Sequence, residues 1–309
     1  MNNFSVIIPL FNKESYIEKA INSVLNQRFN NYEIIVVDDG STDNSLELVK
    51  MIKNSKLKVF HQTNQGVSQA RNNGVSYSKN ELVAFLDADD IWDENFLLEI
   101  DYLVKKYPSA AIYASNNFFE LRNGKKIYEK YENLFDGKED GIIDDFFKIF
   151  AETGKSPFSN SNFVIRRDIF TLLGGYKPGV KLTEDSDLWS RVAIKYDIAY
   201  TKKPLATYLI NTTGNTHLIF EPCDFQVTVT LTDMLNEENI DKKFKKSIKR
   251  LIAFQKLNLI KRAIFSQNKK FAFHRLIYTN VIKHYPITVI KCFISILIPH
   301  NILIYFIKK

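Results

Sequence analysis

An α/β architecture, a mostly parallel sheet flanked by helices with a helical C-terminal appendage, is what this 309-residue sequence predicts. Two observations carry that expectation. Over the first hundred residues, short β-branched runs alternate with segments of helical period, the pattern of parallel strands joined by crossover helices. Beyond about residue 215 the chain reads as mainly helical, with apolar and aromatic residues interleaved with Lys and Arg.

Taken in order, apolar runs mark strands over residues 6–10, 34–37, 57–60 and 82–86. Between the first two, Ile17, Ala20, Ile21, Val24 and Leu25 recur at spacings of three and four, the buried stripe of a helix. A second helix is expected to begin with Asp43 as N-cap and to bury Leu46, Val49 and Ile52. Gly66 opens a third, which carries Arg71 one turn in. Residues 110–114 suit a further strand and Arg122-Asn123-Gly124-Lys125 a hairpin turn. Residues 163–165 read as a strand, followed by a helix ending at Gly174-Gly175 and another over about 184–196.

Composition narrows the classes. With 45% hydrophobic side chains the chain can bury a full core. Its two cysteines, Cys223 and Cys292, form neither a disulfide framework nor a metal-type pair. A reducing, cytoplasmic setting is expected, and the Met-Asn-Asn start lacks the basic opening of a secretory signal. The net charge of +7 hides a split: residues 242–309 hold sixteen Lys or Arg and no Asp or Glu, leaving 26 basic and 35 acidic groups before them. An acidic body suits a cation site, and a basic, aromatic tail suits an anionic partner.

The strongest local signal is Asp87-Ala88-Asp89-Asp90, directly after an apolar strand. Carboxylates at the carboxyl end of a parallel strand face the crevice where open α/β sheets bind ligands. Packed this closely they repel unless a cation or hydrogen-bond donors compensate, and Mg2+ or Mn2+ bridging to phosphate is the natural hard ion. A solvated acidic turn is the alternative. A second turn, Asp38-Asp39-Gly40-Ser41-Thr42-Asp43, also follows a strand, so both should open on one sheet edge and frame a nucleotide pocket. In Thr183-Glu184-Asp185-Ser186-Asp187-Leu188-Trp189, Thr183 can cap a helix with acids in its first turn. Trp189 shares the helical face of Asp185, a pairing that suits a general base beside an aromatic platform for a sugar.

In order, Ser5-Val6-Ile7-Ile8-Pro9-Leu10-Phe11-Asn12, Val37-Asp38-Asp39-Gly40-Ser41-Thr42-Asp43, Asp87-Ala88-Asp89 and Glu184-Asp185 with Asp187-Leu188-Trp189 resemble the family 2 glycosyltransferases of GT-A, Rossmann-like fold. The resemblance is close over about 4–120, good again over about 160–215, and absent beyond. It implies a catalytic domain over 1–215, with a nucleotide-binding half (1–107) and an acceptor-binding half (108–215), before a basic helical region over 216–309.

It also implies roles. Pro9, Phe11 and Glu14 would wall the nucleotide pocket, Asp39 would hold the base, and Gly66 and Arg71 would meet the nucleotide. Asp87 with Ala88 would meet the ribose, Asp89 the metal, Mn2+ or Mg2+, and Asp185 would be the general base with Glu184 and Trp189 on the acceptor side. His217 is a candidate second metal ligand from a closing loop. The implied activity is inverting transfer of one hexosyl or N-acetylhexosaminyl group, from a UDP-type donor to a glycan or lipid-linked glycan of bacterial surface polysaccharide or glycoconjugate. The glutamine/arginine-rich signature of processive synthases is missing, which favours single-sugar transfer.

Rivals are weaker. A nicotinamide-binding enzyme needs Gly-x-Gly-x-x-Gly after the first strand, and residues 9–12 hold no glycine. A sugar nucleotidyltransferase would show a glycine-rich basic loop there. A nucleic-acid or membrane-surface binder on an inactive scaffold is the non-enzyme rival, and the acidic body argues against nucleic acid. The tail suits peripheral attachment to the cytoplasmic face of an anionic membrane. Its apolar end over 292–307 is too short to span, with Pro299-His300-Asn301 interrupting it. A helical appendage packed on the core, or on a second subunit of a homo-oligomer, is the alternative.

Overall fold

The computed structural model describes residues 2–121, 123–131, 134–209, 222–237, 240–279 and 281–298. The chain divides into two compact units, residues 1–144 with 157–214, and 145–156 with 215–309.

The first unit opens with strand β1 (Phe4–Leu10), helix α1 (Ile17–Leu25), β2 (Tyr32–Asp38), α2 (Ser45–Met51), β3 (Leu57–His61), α3 (Val67–Tyr77) and β4 (Leu82–Phe85). These strands lie parallel in the order β3-β2-β1-β4. Strand β1 is buried along its whole length, as its apolar run over residues 6–10 requires when helices cover both faces. Helix α3 reaches β1 through Gly74, where a Cβ would stand 2.3 Å from the Ile7 side chain.

Further on come β5 (Ile91–Trp92), α4 (Phe96–Lys106), β6 (Ile112–Glu120), β7 (Lys126–Ile127), β8 (Asp140–Ile142), α5 (Phe146–Thr153), β9 (Phe163–Arg166), α6 (Arg167–Leu172), α7 (Glu184–Ala193) and β10 (Ile198–Leu209). Strand β9 runs antiparallel between β4 and β6, and β10 parallel to β6, so this half of the sheet is mixed. The expected hairpin is there: β7 returns along β6, with Gly124 N–H donating to Leu121 O at 2.9 Å. Strand β10 lies beyond the sequence reading, because Lys202-Lys203-Pro204 breaks its alternation and the pairing with β6 shifts register there.

Two expected caps differ. Helix α2 starts at Ser45, and Asp43 instead accepts from the Ser45 and Glu14 N–H groups. Thr183 adopts a left-handed φ of 64° at the start of α7 and makes no side-chain cap, its hydroxyl buried without a hydrogen-bond partner.

The second unit is helical among the described residues: α5 joins α8 (Gln226–Asn236), α9 (Lys242–Phe265), α10 (Lys269–Tyr278) and α11 (Pro286–Leu297). Helix α9 runs 24 residues with neither Gly nor Pro, capped by the Asp241 carboxylate on Lys243 N–H. Leu257, Ile260, Ala263, Leu276, Val289 and Cys292 form its core with α10 and α11. Phe147 of α5 meets Phe244 of α9 edge to face at 5.7 Å. No helix among the described residues is long and apolar enough to cross a membrane.

Candidate active site

Both aspartate turns leave the same edge of the sheet. Asp39 N–H donates to Leu10 O at 2.8 Å and Leu86 N–H to Ile7 O at 3.0 Å, so the two turns flank the end of β1. The loop after β1 is stitched to the loop after β2: Asn12, at φ 53°, takes Thr42 N–H on its amide oxygen at 2.8 Å, and Lys13 N–H donates to Ser45 Oγ at 2.8 Å. Asp39 is buried and accepts three bonds of 2.8 Å, from Gln62 Nε2, Gln65 N–H and Gly66 N–H. Those bonds set the turn into α3, where Gly66 takes a φ of 89° that favours glycine. One acceptor site of the Asp39 carboxylate remains beyond these three.

The centre of the site is Arg71. Its buried guanidinium donates to Asp87 Oδ1 at 2.7 Å and to Glu184 Oε1 at 3.2 Å, and lies over the Tyr176 ring at 5.2 Å. Asn160, with its amide oxygen turned to Arg71, accepts from both terminal nitrogens at 3.3 and 3.1 Å and donates to Tyr176 Oη at 2.7 Å. Burial opposes the charge of Arg71, yet Asp87 and Glu184 keep it firmly protonated.

Negative charge is dense around this cation. Burial pushes the Asp90 carboxyl well above the usual range, and the charges of Asp87 and Asp89 add to it. Asp90 accepts from Ser161 Oγ at 2.5 Å and from Leu209 N–H at 3.3 Å. Glu184 is pushed up to about 7, by burial first and by Asp185 second, against the pull of Arg71. Asp185 is raised by burial, although Ser186 N–H and Oγ bond to its Oδ1 at 2.5 and 3.1 Å. Tyr208 on β10 is raised by burial and then by the charges of Asp90, Asp87, Asp89 and Asp185.

Asp87, Asp89, Arg71, Glu184 and Asp185 thus come together, with Asp39 and Gly66 framing the adjoining turn. The other expected residues have the following surroundings. Trp189 is only 2% exposed, edge-on to Phe158 at 4.9 Å and Phe163 at 5.7 Å, so it is a core residue and not an acceptor platform. The helix presents its apolar face, Leu188, Trp189 and Val192, to the sheet. Glu184, partly exposed, is the ion-pair partner of Arg71. Pro9 is buried within β1 opposite Val37, and Ala88 lies in the core. Glu14 faces the neighbouring loop, accepting from Asn44 N–H and Nδ2 at 3.0 Å each, while Phe11 is exposed. His217 lies outside the described residues.

Several partners went unread in the sequence. Asp187 is wholly buried, paired with Arg191 at 2.8 Å and Lys177 at 3.2 Å, and Arg191 donates to Leu173 O and Gly175 O, fastening α7 to the Gly174-Gly175 turn. Asn160, Ser161, Tyr176 and Tyr208 carry no local pattern that would single them out. Lys13 was the legible omission: a lysine between Asn12 and Glu14, whose ammonium lies 2.5 Å from Asp89 Oδ2.

The oxygens here suit a hard divalent ion. Asp89 is partly exposed, and soft ligands are absent from its turn. Among the described residues no three acidic, His or Cys side chains form a metal cluster.

Comparison with known proteins follows the same line. The sequence pattern of "Glycosyl transferase family 2" matches residues 5–173. An uncharacterized glycosyltransferase of Rickettsia conorii is 28% identical over 243 residues, 77% of this chain and 38% of that protein. The minor teichoic acid biosynthesis protein GgaA of Bacillus subtilis is 29% identical over 202 residues, 62% of this chain and 43% of that protein. The chain therefore spans less than half the length of these relatives. Among solved structures, S. aureus TarS 1–349 in complex with UDP-GlcNAc superposes with a TM-score of 0.64 at 21% identity, over 94% of this chain and 79% of that one. The mannosyltransferase PcManGT of Pyrobaculum calidifontis, in complex with GDP-Man and Mn2+, gives 0.61 at 14% identity, over 96% and 87%. These likenesses show a shared GT-A fold. With more than half of its residues matched by the family pattern, the chain belongs to glycosyl transferase family 2.

Proposed function

We propose that the chain is an inverting, metal-dependent glycosyltransferase that moves one hexosyl or N-acetylhexosaminyl group from a nucleotide-diphosphate donor, UDP in particular, to a hydroxyl of a glycan or lipid-linked glycan. The observation that carries this reading is the Arg71 bridge. One buried guanidinium ties Asp87, after β4, to Glu184, at the start of α7, so the donor-side carboxylates and the base-bearing helix share one charge system.

The residues divide the work. The Asp39 turn and Gly66 hold the nucleotide end. Arg71 keeps Asp87 oriented toward the ribose. Asp89 is the protein ligand of a Mn2+ or Mg2+ ion, which when bound offsets charge on the departing diphosphate. Asp185, whose surroundings favour its neutral form, accepts the proton of the attacking acceptor hydroxyl. A single in-line displacement inverts the anomeric centre.

Supporting the donor class are the UDP-GlcNAc complex of TarS and the GDP-Man and Mn2+ complex of PcManGT, and GgaA's role in teichoic acid synthesis supports a surface-polymer acceptor. The basic helical unit adds peripheral attachment to the cytoplasmic face of a membrane, where a lipid-linked acceptor is found. A panel of nucleotide sugars, assayed for hydrolysis with and without Mn2+ and read by NMR for anomeric configuration, tests the proposal. Product of inverted configuration from a UDP-sugar is expected. A retained configuration, or no turnover of any donor with metal present, would overturn it.

A further inference from the structure

Helix α11 is apolar on both sides. Inward, Val289 and Cys292 are buried against α9 and α10. Outward, Ile287, Ile290, Ile294 and Leu297 are exposed by 69, 57, 51 and 81%. Their spacing of three, four and three residues puts them on one stripe of the helix. Phe273 of α10, also exposed, stands 6.1 Å from Phe293 of α11, so the adjoining face continues the apolar surface. A helix of this kind needs a cover, because contiguous exposed apolar surface marks an interaction site.

Charge selects the cover. Lys291 on α11, Lys283 just before it and Lys270 at the start of α10 are exposed, and residues 242–298 hold fourteen Lys or Arg with no Asp or Glu. A second copy of the same face would oppose like charge with like, whereas an anionic lipid surface supplies both an apolar layer and negative headgroups. The 12 residues of α11 extend about 18 Å, too little for a hydrocarbon core of roughly 30 Å. The helix therefore suits the plane of the interface.

We propose that α11, with the adjoining face of α10, docks the protein on an anionic lipid surface by immersing Ile287, Ile290, Ile294 and Leu297 below the headgroups that Lys283 and Lys291 contact. This deepens the peripheral-membrane reading above and rests on it. Lipid binding is nevertheless measurable with no donor present, so it fails or stands apart from the sugar-transfer reaction.

The test is co-sedimentation of the full chain with vesicles of phosphatidylcholine alone or with 30% phosphatidylglycerol, at about 0.1 and 0.5 M NaCl. Binding is expected on the mixed vesicles and weaker in high salt. Ile290→Glu with Ile294→Glu should lower affinity at least roughly tenfold, and Lys283→Gln with Lys291→Gln should lower it and flatten the salt dependence. Because the substituted side chains are already exposed, an unchanged circular dichroism spectrum and melting temperature should accompany both variants. Equal binding to neutral vesicles, no binding to either kind, or full binding by the isoleucine variant would overturn the proposal. So would a concentration-dependent dimer, seen by sedimentation velocity, that the same isoleucine variant dissolves without any effect on vesicles; the cover would then be a second copy.

Discussion

The Lys13 ammonium stands 2.5 Å from Asp89 Oδ2, both side chains more than four-fifths shielded from solvent. Two cations cannot share that oxygen without mutual repulsion, so Lys13 opposes a divalent ion on Asp89. Replacing it with methionine keeps the length of the stem and removes the charge. Lys13→Met should tighten Mn2+ binding by roughly fivefold, on the scale of about 1 kcal/mol for a partly shielded ion pair. Electron paramagnetic resonance titration of free against bound Mn2+ reads this without turnover. Unchanged or weaker Mn2+ affinity would show that Lys13 supports the ion and does not compete with it.

Arg71 is the only guanidinium between Asp87 and Glu184 among the described contacts. Arg71→Ala leaves two carboxylates facing each other in a poorly hydrated place, a loss of about 3 kcal/mol on the scale of broken buried pairs. The penalty should grow with pH. Burial already raises Glu184 from 4.5 to about 7, so its neutral form is the stabilised one. Its contribution is full below its unfolded value and is lost as pH climbs through about 7. Removing Arg71 raises that carboxyl further and enlarges the loss. Urea unfolding of wild type and variant at pH 5 and pH 8 measures it, and an equal penalty at both would reject the ion-pair account.

Much of this was legible because strand ends announce themselves. The runs before Asp38 and Asp87 are apolar, and each is followed at once by acids, so co-location on one sheet edge follows from parallel topology alone. What was not legible is long-range. Trp189 shares a helical face with Asp185 by periodicity, but the sheet behind α7 claims the tryptophan and leaves the acid half-buried at the rim. Likewise Thr183-Glu184-Asp185 reads as a capping sequence, yet Glu184 is drawn 113 residues back along the chain to Arg71. Strand β10, which carries Tyr208 to the carboxylates, was hidden by the Lys202-Lys203-Pro204 interruption.

Trp189 therefore yields a discriminating variant. Trp189→Phe retains an aromatic in the Phe158 and Phe163 cluster and should cost about 1–2 kcal/mol by leaving a small cavity. The acceptor KM should stay within about twofold of wild type, since the ring faces the core and meets no substrate. A large rise in acceptor KM at unchanged melting temperature would return Trp189 to the acceptor side.

Asp39 separates loop building from chemistry. An asparagine there offers one acceptor oxygen and an amide that donates, so it cannot serve Gln65 N–H, Gly66 N–H and Gln62 Nε2 together. Asp39→Asn should lower stability by about 1–3 kcal/mol, the cost of a buried unpaired donor, and weaken UDP binding in calorimetry by roughly tenfold as the turn into α3 loosens. Wild-type UDP affinity in this variant would remove Asp39 and its turn from the nucleotide site.

The base assignment rests on Asp185, which burial and the charge of Asp87 hold toward the neutral form, beside Glu184, which burial and the charge of Asp185 raise. A carboxyl must be ionised to take the acceptor proton, so kcat/KM should rise with pH and level off once Asp185 has lost its proton, at a midpoint above the ordinary range of an aspartate. Asp185→Asn should leave UDP binding unchanged while transfer falls at least roughly a hundredfold. Glu184→Gln should instead keep transfer, because Asp185 retains its carboxylate and the burial that raises it. Should the aspartate variant transfer sugar normally while the glutamine variant fails, the two neighbouring carboxylates exchange roles, and Glu184 becomes the proton acceptor beside Arg71.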